Sequence, residues 1–223
     1  SVVDTGYVTH IDDTIRLIDA AREGRTLVRI VNTHIHSDHA GGNAQLKALH
    51  GCEVWIPPGE SELVDSWDED RLSYRRTSQQ CPRFSYDRLI HPYDTLHLGG
   101  EGWTVLPAAG HDHAMVMLWC ERQGILLSAD ALWQKGFGVI FPELAGIPGF
   151  AQQKATLNLI GDLKPRLVIP GHGAPFMDVA ASLQAAQVAF LDAGQFERWA
   201  EPSQRGNRDQ SVHRRDHRPG GLA

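Results

Sequence analysis

The chain has 223 residues, enough for one well-buried domain and short for two. Hydrophobic residues make up 42% and charged residues 22%, an ordinary globular balance that excludes a disordered or fibrous chain as a whole. A formal net charge of −6 argues against non-specific nucleic-acid binding through bulk charge and leaves only a local basic patch open.

Residues 1–6 read as a short strand ending in a turn at Thr5-Gly6. Ile11, Ile15 and Ile18 share one face of a helix over 11–22, with Asp12 and Asp13 at its positive end and Gly24 placed to stop it. The β-branched run Leu27-Val28-Arg29-Ile30-Val31 predicts a buried strand. It leads into Thr33-His34-Ile35-His36-Ser37-Asp38-His39-Ala40-Gly41-Gly42, which packs three imidazoles and a carboxylate into six residues. A helix over 43–50 follows, so this cluster sits on a strand-to-helix loop that can aim several side chains at one point. His34 and His36, at alternate positions of an extended segment, point the same way. Neutral imidazole nitrogen and carboxylate oxygen are ligands for a borderline cation such as zinc, at about 2.0–2.2 Å. Asp38 and His39, on the turn, are available to a second ion.

A strand over 53–56 is stopped by Pro57-Pro58. Residues 59–93 are irregular apart from a helix over 60–66. Tyr74, Arg75, Arg76, Phe84 and Tyr86 keep no sustained period there, which suits either a lid or a solvated surface excursion. Arg75 and Arg76 fit an anionic substrate tail or, more commonly, plain surface charge. Residues 94–98 and 103–108 predict a hairpin across Gly99-Gly100 that delivers Gly110-His111. A second hairpin, 114–120 with 125–129, ends at Asp130. The Gly- and Pro-rich loop 132–150 begins two residues later, so Trp133, Phe137, Phe141 and Phe150 are expected to line a pocket, with core packing the alternative for each.

A helix over 151–163 and a strand over 166–169 deliver Pro170-Gly171-His172. Val179, Leu183, Ala186 and Phe190 have core-facing spacing in a helix over 179–199. The domain is expected to span 1–200. The tail 201–223 is nearly free of apolar residues and is expected to be disordered, with His213 and His217 solvated. No apolar run approaches the roughly eighteen residues of a membrane-spanning helix, and no signal-peptide pattern opens the chain. Cys52, Cys81 and Cys120 are scattered and odd in number, which argues against a disulfide framework and for a reducing, cytoplasmic setting. A start at Ser1 leaves a removed leader open.

The Thr33–Gly42 segment resembles the HxHxDH signature of the metallo-β-lactamase-fold hydrolases, a superfamily that includes glyoxalase II. Gly110-His111, Leu127-Ser128-Ala129-Asp130 and Ile169-Pro170-Gly171-His172-Gly173 continue the match in the family's order, over roughly residues 2 to 175. The resemblance implies an α/β fold, a four-layer αβ/βα sandwich with metals at one edge between the sheets. It implies His34, His36 and His111 as ligands of a first metal and Asp38, His39 and His172 as ligands of a second. Asp130 matches the carboxylate that bridges the two. The implied cofactors are two Zn²⁺ ions, although iron and manganese accept the same donors. One departure stands out: the first N-terminal strands of the family are apparently missing ahead of Asp4-Thr5-Gly6, so the first sheet is expected to lack an edge.

Two dications about 3.5–4 Å apart need negative charge between them, which a bridging aspartate and a bridging hydroxide provide, the hydroxide being the nucleophile. Asp38 is the candidate catalytic group that orients this nucleophile or passes a proton to the leaving group. Asp4 is a candidate partner for the remote N–H of a ligand histidine, with a simple turn aspartate as the other reading. His113 is expected in a supporting or surface position; His10, His50, His91 and His97 are read as structural.

Some true β-lactamases carry a cysteine where Asp130 stands, so the aspartate resembles the glyoxalase II, lactonase, thioesterase and RNase Z-like branches. The phosphate-binding arm of the nucleases is not found, and the tail does not resemble the helical domain that ends glyoxalase II. The reading is a hydrolase of a small-molecule thioester or ester, like a hydroxyacylglutathione hydrolase. A metal-dependent phosphodiesterase or endoribonuclease is the second reading and a β-lactamase the third. The non-enzyme alternative is a truncated metal-binding module that needs a partner, or a second copy of itself in a homodimer, over its exposed edge.

Overall fold

Alternation along the strands divides the apolar residues between three layers of core. In the computed structural model, which describes residues 1–200, β1 (Val2–Val3) opens the chain. The helix α1 (Ile11–Arg22) then leads to β2 (Arg29–Val31), the single turn α2 (Ser37–Ala40) and the helix α3 (Asn43–His50). After these come β3 (Glu53–Ile56), α4 (Ser61–Ser66) and β4 (Arg88–Leu89). The first sheet has the order β1-β2-β3-β4, parallel throughout.

The second sheet is built from β5 (Thr95–Leu98), β6 (Glu101–Pro107), β7 (Val116–Cys120), β8 (Ile125–Ala129) and β9 (Leu167–Pro170). It keeps that order and is antiparallel except where β8 pairs with β9. The β5–β6 hairpin closes across Gly99 (φ 59°) and Gly100 (φ 84°), a pair of left-handed positions that suits a tight hairpin turn. The short α5 (Phe141–Leu144) and the longer α6 (Phe150–Leu163) lie between β8 and β9, and α7 (Val179–Ala200) follows β9.

Ile30, Val54 and Ile56 pack with Leu46 of α3, and Ile11, Ile15 and Ile18 of α1 cover them. Their strand neighbours Val31 and Trp55 face the other way, onto Leu96, Val105, Val116 and Leu118 of the second sheet. The far side of that sheet, through Leu106, Met117 and Leu126, meets Leu157 and Ile160 of α6 and Val179 and Ala186 of α7. Helix, sheet, sheet and helix give the expected four-layer αβ/βα sandwich. Full burial of each such side chain stabilises by roughly 1.5–3 kcal/mol. Residues Ser1–Gln187 form one compact unit; of the second unit, Val188–Ala223, only the end of α7 is described, and the expected tail 201–223 lies outside the described residues.

Two local expectations change. The metal-loop region is not all loop: the N–H groups of His39 and Ala40 both reach the His36 carbonyl at 3.0 Å, winding Ser37–Ala40 into a helical turn. Nor is the irregular stretch a solvated excursion. Leu72, Tyr74 and Phe84 are buried in the first core, and the Tyr74 hydroxyl donates to the Ile35 carbonyl at 2.6 Å, tying this stretch to the histidine loop. Arg75 spends its guanidinium on Glu69 and Asp70 at 3.2 and 3.5 Å, in an exposed cluster. Cys52, Cys81 and Cys120 are free and buried.

Candidate metal centre

Four strand ends converge on one edge of the sandwich. β2 runs into His34, His36 and the turn carrying Asp38 and His39; β6 leads to His111, β8 to Asp130 and β9 to His172. Ala129, at the end of β8, adopts φ 46° where the β8–β9 register shifts, an unusual conformation for a residue with a side chain, and Asp130 follows directly. Gly171 lies so close that a Cβ there would run into Asp130 Oδ1 and, at 2.9 Å, His39 Cε1.

The seven residues singled out in the sequence all meet here, in two groups of three joined by Asp130. In the first, His36 Nδ1 stands 3.1 Å from His34 Nε2 and 2.8 Å from His111 Nε2. In the second, His172 Nε2 lies 3.1 Å from Asp38 Oδ2, and His39 Nε2 lies 3.9 Å from the same oxygen. Asp130 spans both: its Oδ2 is 3.4 Å from His111 Nε2 and 3.5 Å from His172 Nε2, and its Oδ1 is 3.5 Å from His39 Nε2. The Trp133 indole N–H approaches Asp130 Oδ1 at 3.3 Å.

Donor counting fixes two tautomers. The Thr33 hydroxyl has one proton, and it goes to Asp4 Oδ2 at 2.8 Å. Its oxygen must therefore accept from His34 Nδ1 at 3.0 Å, which leaves the His34 Nε2 lone pair facing the cluster. His39 Nδ1 likewise donates to Asp4 Oδ2 at 2.9 Å, and its buried Nε2 has no hydrogen-bond partner. An orphaned imidazole nitrogen and three further ring nitrogens crowded together are poor hydrogen bonding but a good cation-binding donor set. The residues present fit a divalent metal. Asp4 itself takes φ 56° and also accepts the Thr33 N–H at 2.8 Å, so of its two readings the supporting one describes what it does.

A family model described as the metallo-beta-lactamase superfamily matches residues 2–172. The chain belongs to that superfamily. Among curated relatives, it is 29% identical over 130 residues to a hydroxyacylglutathione hydrolase of Hyphomonas neptunium, covering 58% of this chain and 43% of the relative. It is 28% identical over 185 residues to a beta-lactamase-like protein 2 homolog of Drosophila melanogaster, covering 77% and 54%. The chain thus spans about half the length of the curated relatives it matches. A beta-lactamase domain protein of Burkholderia ambifaria shares the fold with a TM-score of 0.71 at 23% identity, over 89% of this chain and 67% of that one.

Within the centre the two groups differ electrostatically. Burial pushes His34 well below the usual imidazole value and carries His36 and His111 down to about 4, so these rings are neutral at pH 7 with lone pairs free. Burial also works to lower His39, but the carboxylates of Asp4 and Asp130 overcome it and raise the group to about 10. Hydrogen bonds to Asp130 and Asp38 raise His172 to about 9. Burial tends to raise Asp130, yet the His172 and His39 rings, each with a nitrogen 3.5 Å from one of its oxygens, hold it well below the carboxylate range; Asp38 is lowered in the same way, chiefly by His172 against its burial.

Around the centre, Phe141 of α5 lies over His36 and His111 with ring centroids 4.5 and 5.4 Å apart, and Trp133 meets His172 edge-on at 5.3 Å. Of the aromatics in the loop after Asp130, Phe141 and Trp133 therefore wall the site, and Phe137 also packs against the core. A cleft of about 260 Å³, lined in part by Asp4, Thr33, Asp38, His39 and Gly171, opens beside it. His113 is mostly exposed, in the surface position expected of it.

Proposed function

We propose that this chain is a metal-dependent hydrolase that holds two divalent ions, zinc first among them, and cleaves a small-molecule thioester or ester of the hydroxyacylglutathione kind. The observation that carries the reading is Asp130, one buried carboxylate whose two oxygens face both groups of imidazoles. His34, His36 and His111 would hold one ion, Asp38, His39 and His172 the other, and Asp130 both. When bound, such a pair supplies Lewis acidity and activates water near neutral pH.

The chain's own residues do the rest. Asp4 holds His39 in the tautomer whose Nε2 is free, and through Thr33 it does the same for His34. Phe141 and Trp133 exclude water from two sides and leave an apolar wall for an acyl group. Asp38, half-buried and ionised at neutral pH, is placed to accept a proton and pass it to a leaving group. The thioester preference rests on the several relatives named hydroxyacylglutathione hydrolase, at 27–29% identity.

The test couples metal analysis of the purified chain to a panel of S-lactoylglutathione, a p-nitrophenyl ester, bis-p-nitrophenyl phosphate and nitrocefin. Two metals per chain and chelator-sensitive turnover of S-lactoylglutathione or the ester support the proposal. Selective turnover of the phosphodiester or of nitrocefin would replace the substrate class. A silent panel with less than one metal per chain would remove the enzyme reading.

A further inference from the structure

Glu60 is an acid only 5% exposed, on the turn that leads into α4, where its side chain makes no capping hydrogen bond. The Ile35 backbone supplies a hydrogen bond to its carboxylate, but Oε2 has no partner. Asp112, equally buried, stands nearby on the loop after β6. Asp112 Oδ1 accepts the Ala114 N–H at 2.6 Å. Its Oδ2 is left 3.8 Å from His113 Nδ1 and 3.9 Å from His36 Nε2, too far for a hydrogen bond to either. One carboxylate oxygen of each acid and one ring nitrogen of His113 lie within 4.8 Å of one another.

Two ionised carboxylates buried side by side are unfavourable unless one takes up a proton or a positive charge sits between them. Burial and the neighbouring Asp112 push Glu60 well above the usual carboxyl range. His113 reaches the pair from the solvent side, its ring 63% exposed, and gives an ion a way in. We infer that Glu60, Asp112 and His113 form a separate site for one divalent cation. Two oxygens and one nitrogen match ions of the Mn²⁺ or Zn²⁺ type better than Ca²⁺, which takes oxygen alone. None of its donors belongs to the centre described above. It lies on the Nε2 side of His36, whereas that ring turns Nδ1 to the other histidines. The assignment does not depend on the hydrolase reading.

The test uses the full chain with its own metals left in place, titrated with Mn²⁺. Electron paramagnetic resonance reads the free ion and elemental analysis the total metal. The wild-type chain is expected to take up one more Mn²⁺ than Glu60→Gln, a variant of the same size that keeps a hydrogen-bonding oxygen for Ile35. His113→Ala, a change at an exposed ring, is expected to weaken the same uptake about tenfold or more. The rest of the metal content should be the same in all three proteins. Equal Mn²⁺ uptake by wild type and both variants overturns the inference, and so does a wild-type chain that binds none. Because His113 is exposed, its variant keeps the question answerable if Glu60→Gln does not fold.

Discussion

Asp4 Oδ2 accepts from His39 Nδ1 at 2.9 Å and from the Thr33 hydroxyl at 2.8 Å, so one carboxylate on the turn after β1 orients imidazoles in both halves of the centre. The His39 contact is direct and the His34 contact runs through Thr33. Replacing Asp4 by Asn removes the charge and offers an amide where an acceptor is needed. Supporting carboxylates of this kind are worth about 10–100-fold in metal affinity. Asp4→Asn is therefore expected to weaken metal binding by that factor while circular dichroism stays unchanged. Affinity within twofold of wild type would show that the tautomers are held some other way.

Metal uptake should release protons. In the metal-free chain His39 and His172, raised to about 10 and 9, both carry a proton at pH 7, and each must lose it to become a ligand. Affinity is accordingly expected to climb as pH rises from 6 toward 9. Calorimetry in buffers of different ionisation enthalpy should read close to two protons released per chain at pH 7. The stability of the metal-free chain runs the opposite way. A folded-state value raised above the ordinary 6.5 or so contributes stability that is complete below about pH 6.5 and lost progressively as pH climbs from there through 9 to 10. Melting temperature of the chelated protein should fall over that range, and a flat profile would contradict the pairing with Asp4, Asp38 and Asp130.

What could be read without the structure followed from how locally each feature is written. His34, His36, Asp38 and His39 lie within six residues, and their shared loop is visible in the flanking strand and glycines. His111, Asp130 and His172 are single residues at strand ends. Only their ordered resemblance to the superfamily's motifs joined them to the loop, because no local pattern announces a contact such as His36 to His111 across 75 positions. β4 is two residues long and pairs only because β3 is already there, too short to leave a periodic trace. The burial of Leu72, Tyr74 and Phe84 was hidden for the same reason: their spacing is irregular and the surface they cover comes from distant segments. Glu60 read as the start of a helix, and nothing beside it in sequence shows that Asp112 lies opposite.

Gly171 carries a steric prediction. A methyl group there would collide with Asp130 Oδ1 and crowd His39 Cε1. Gly171→Ala is expected to push Asp130 aside at a cost of about 1–3 kcal/mol in stability, typical of an overfilled site. Metal stoichiometry should fall along with the melting temperature. A variant with wild-type metal content and stability would mean that the β9 loop yields freely, contrary to its packing against Ala129 and Asp130.

Asp38 separates the substrate readings through the leaving group. It is ionised, partly open to solvent and 3.1 Å from His172 Nε2, so it can receive a proton and deliver it outward. Thiols ionise near 8.5, so a thiolate leaves without help at neutral pH, whereas an alkoxide, far more basic, needs a proton as its bond breaks. Asp38→Asn, assayed at saturating metal to offset any weakening of the second group, is expected to lower kcat on an alkyl ester by about 10²–10⁴, the usual worth of a placed proton carrier. Its effect on S-lactoylglutathione should be at least tenfold smaller, with KM for both substrates little changed. Equal losses on ester and thioester would instead make Asp38 a group that acts before the leaving group departs, by holding His172 and the nucleophile in place.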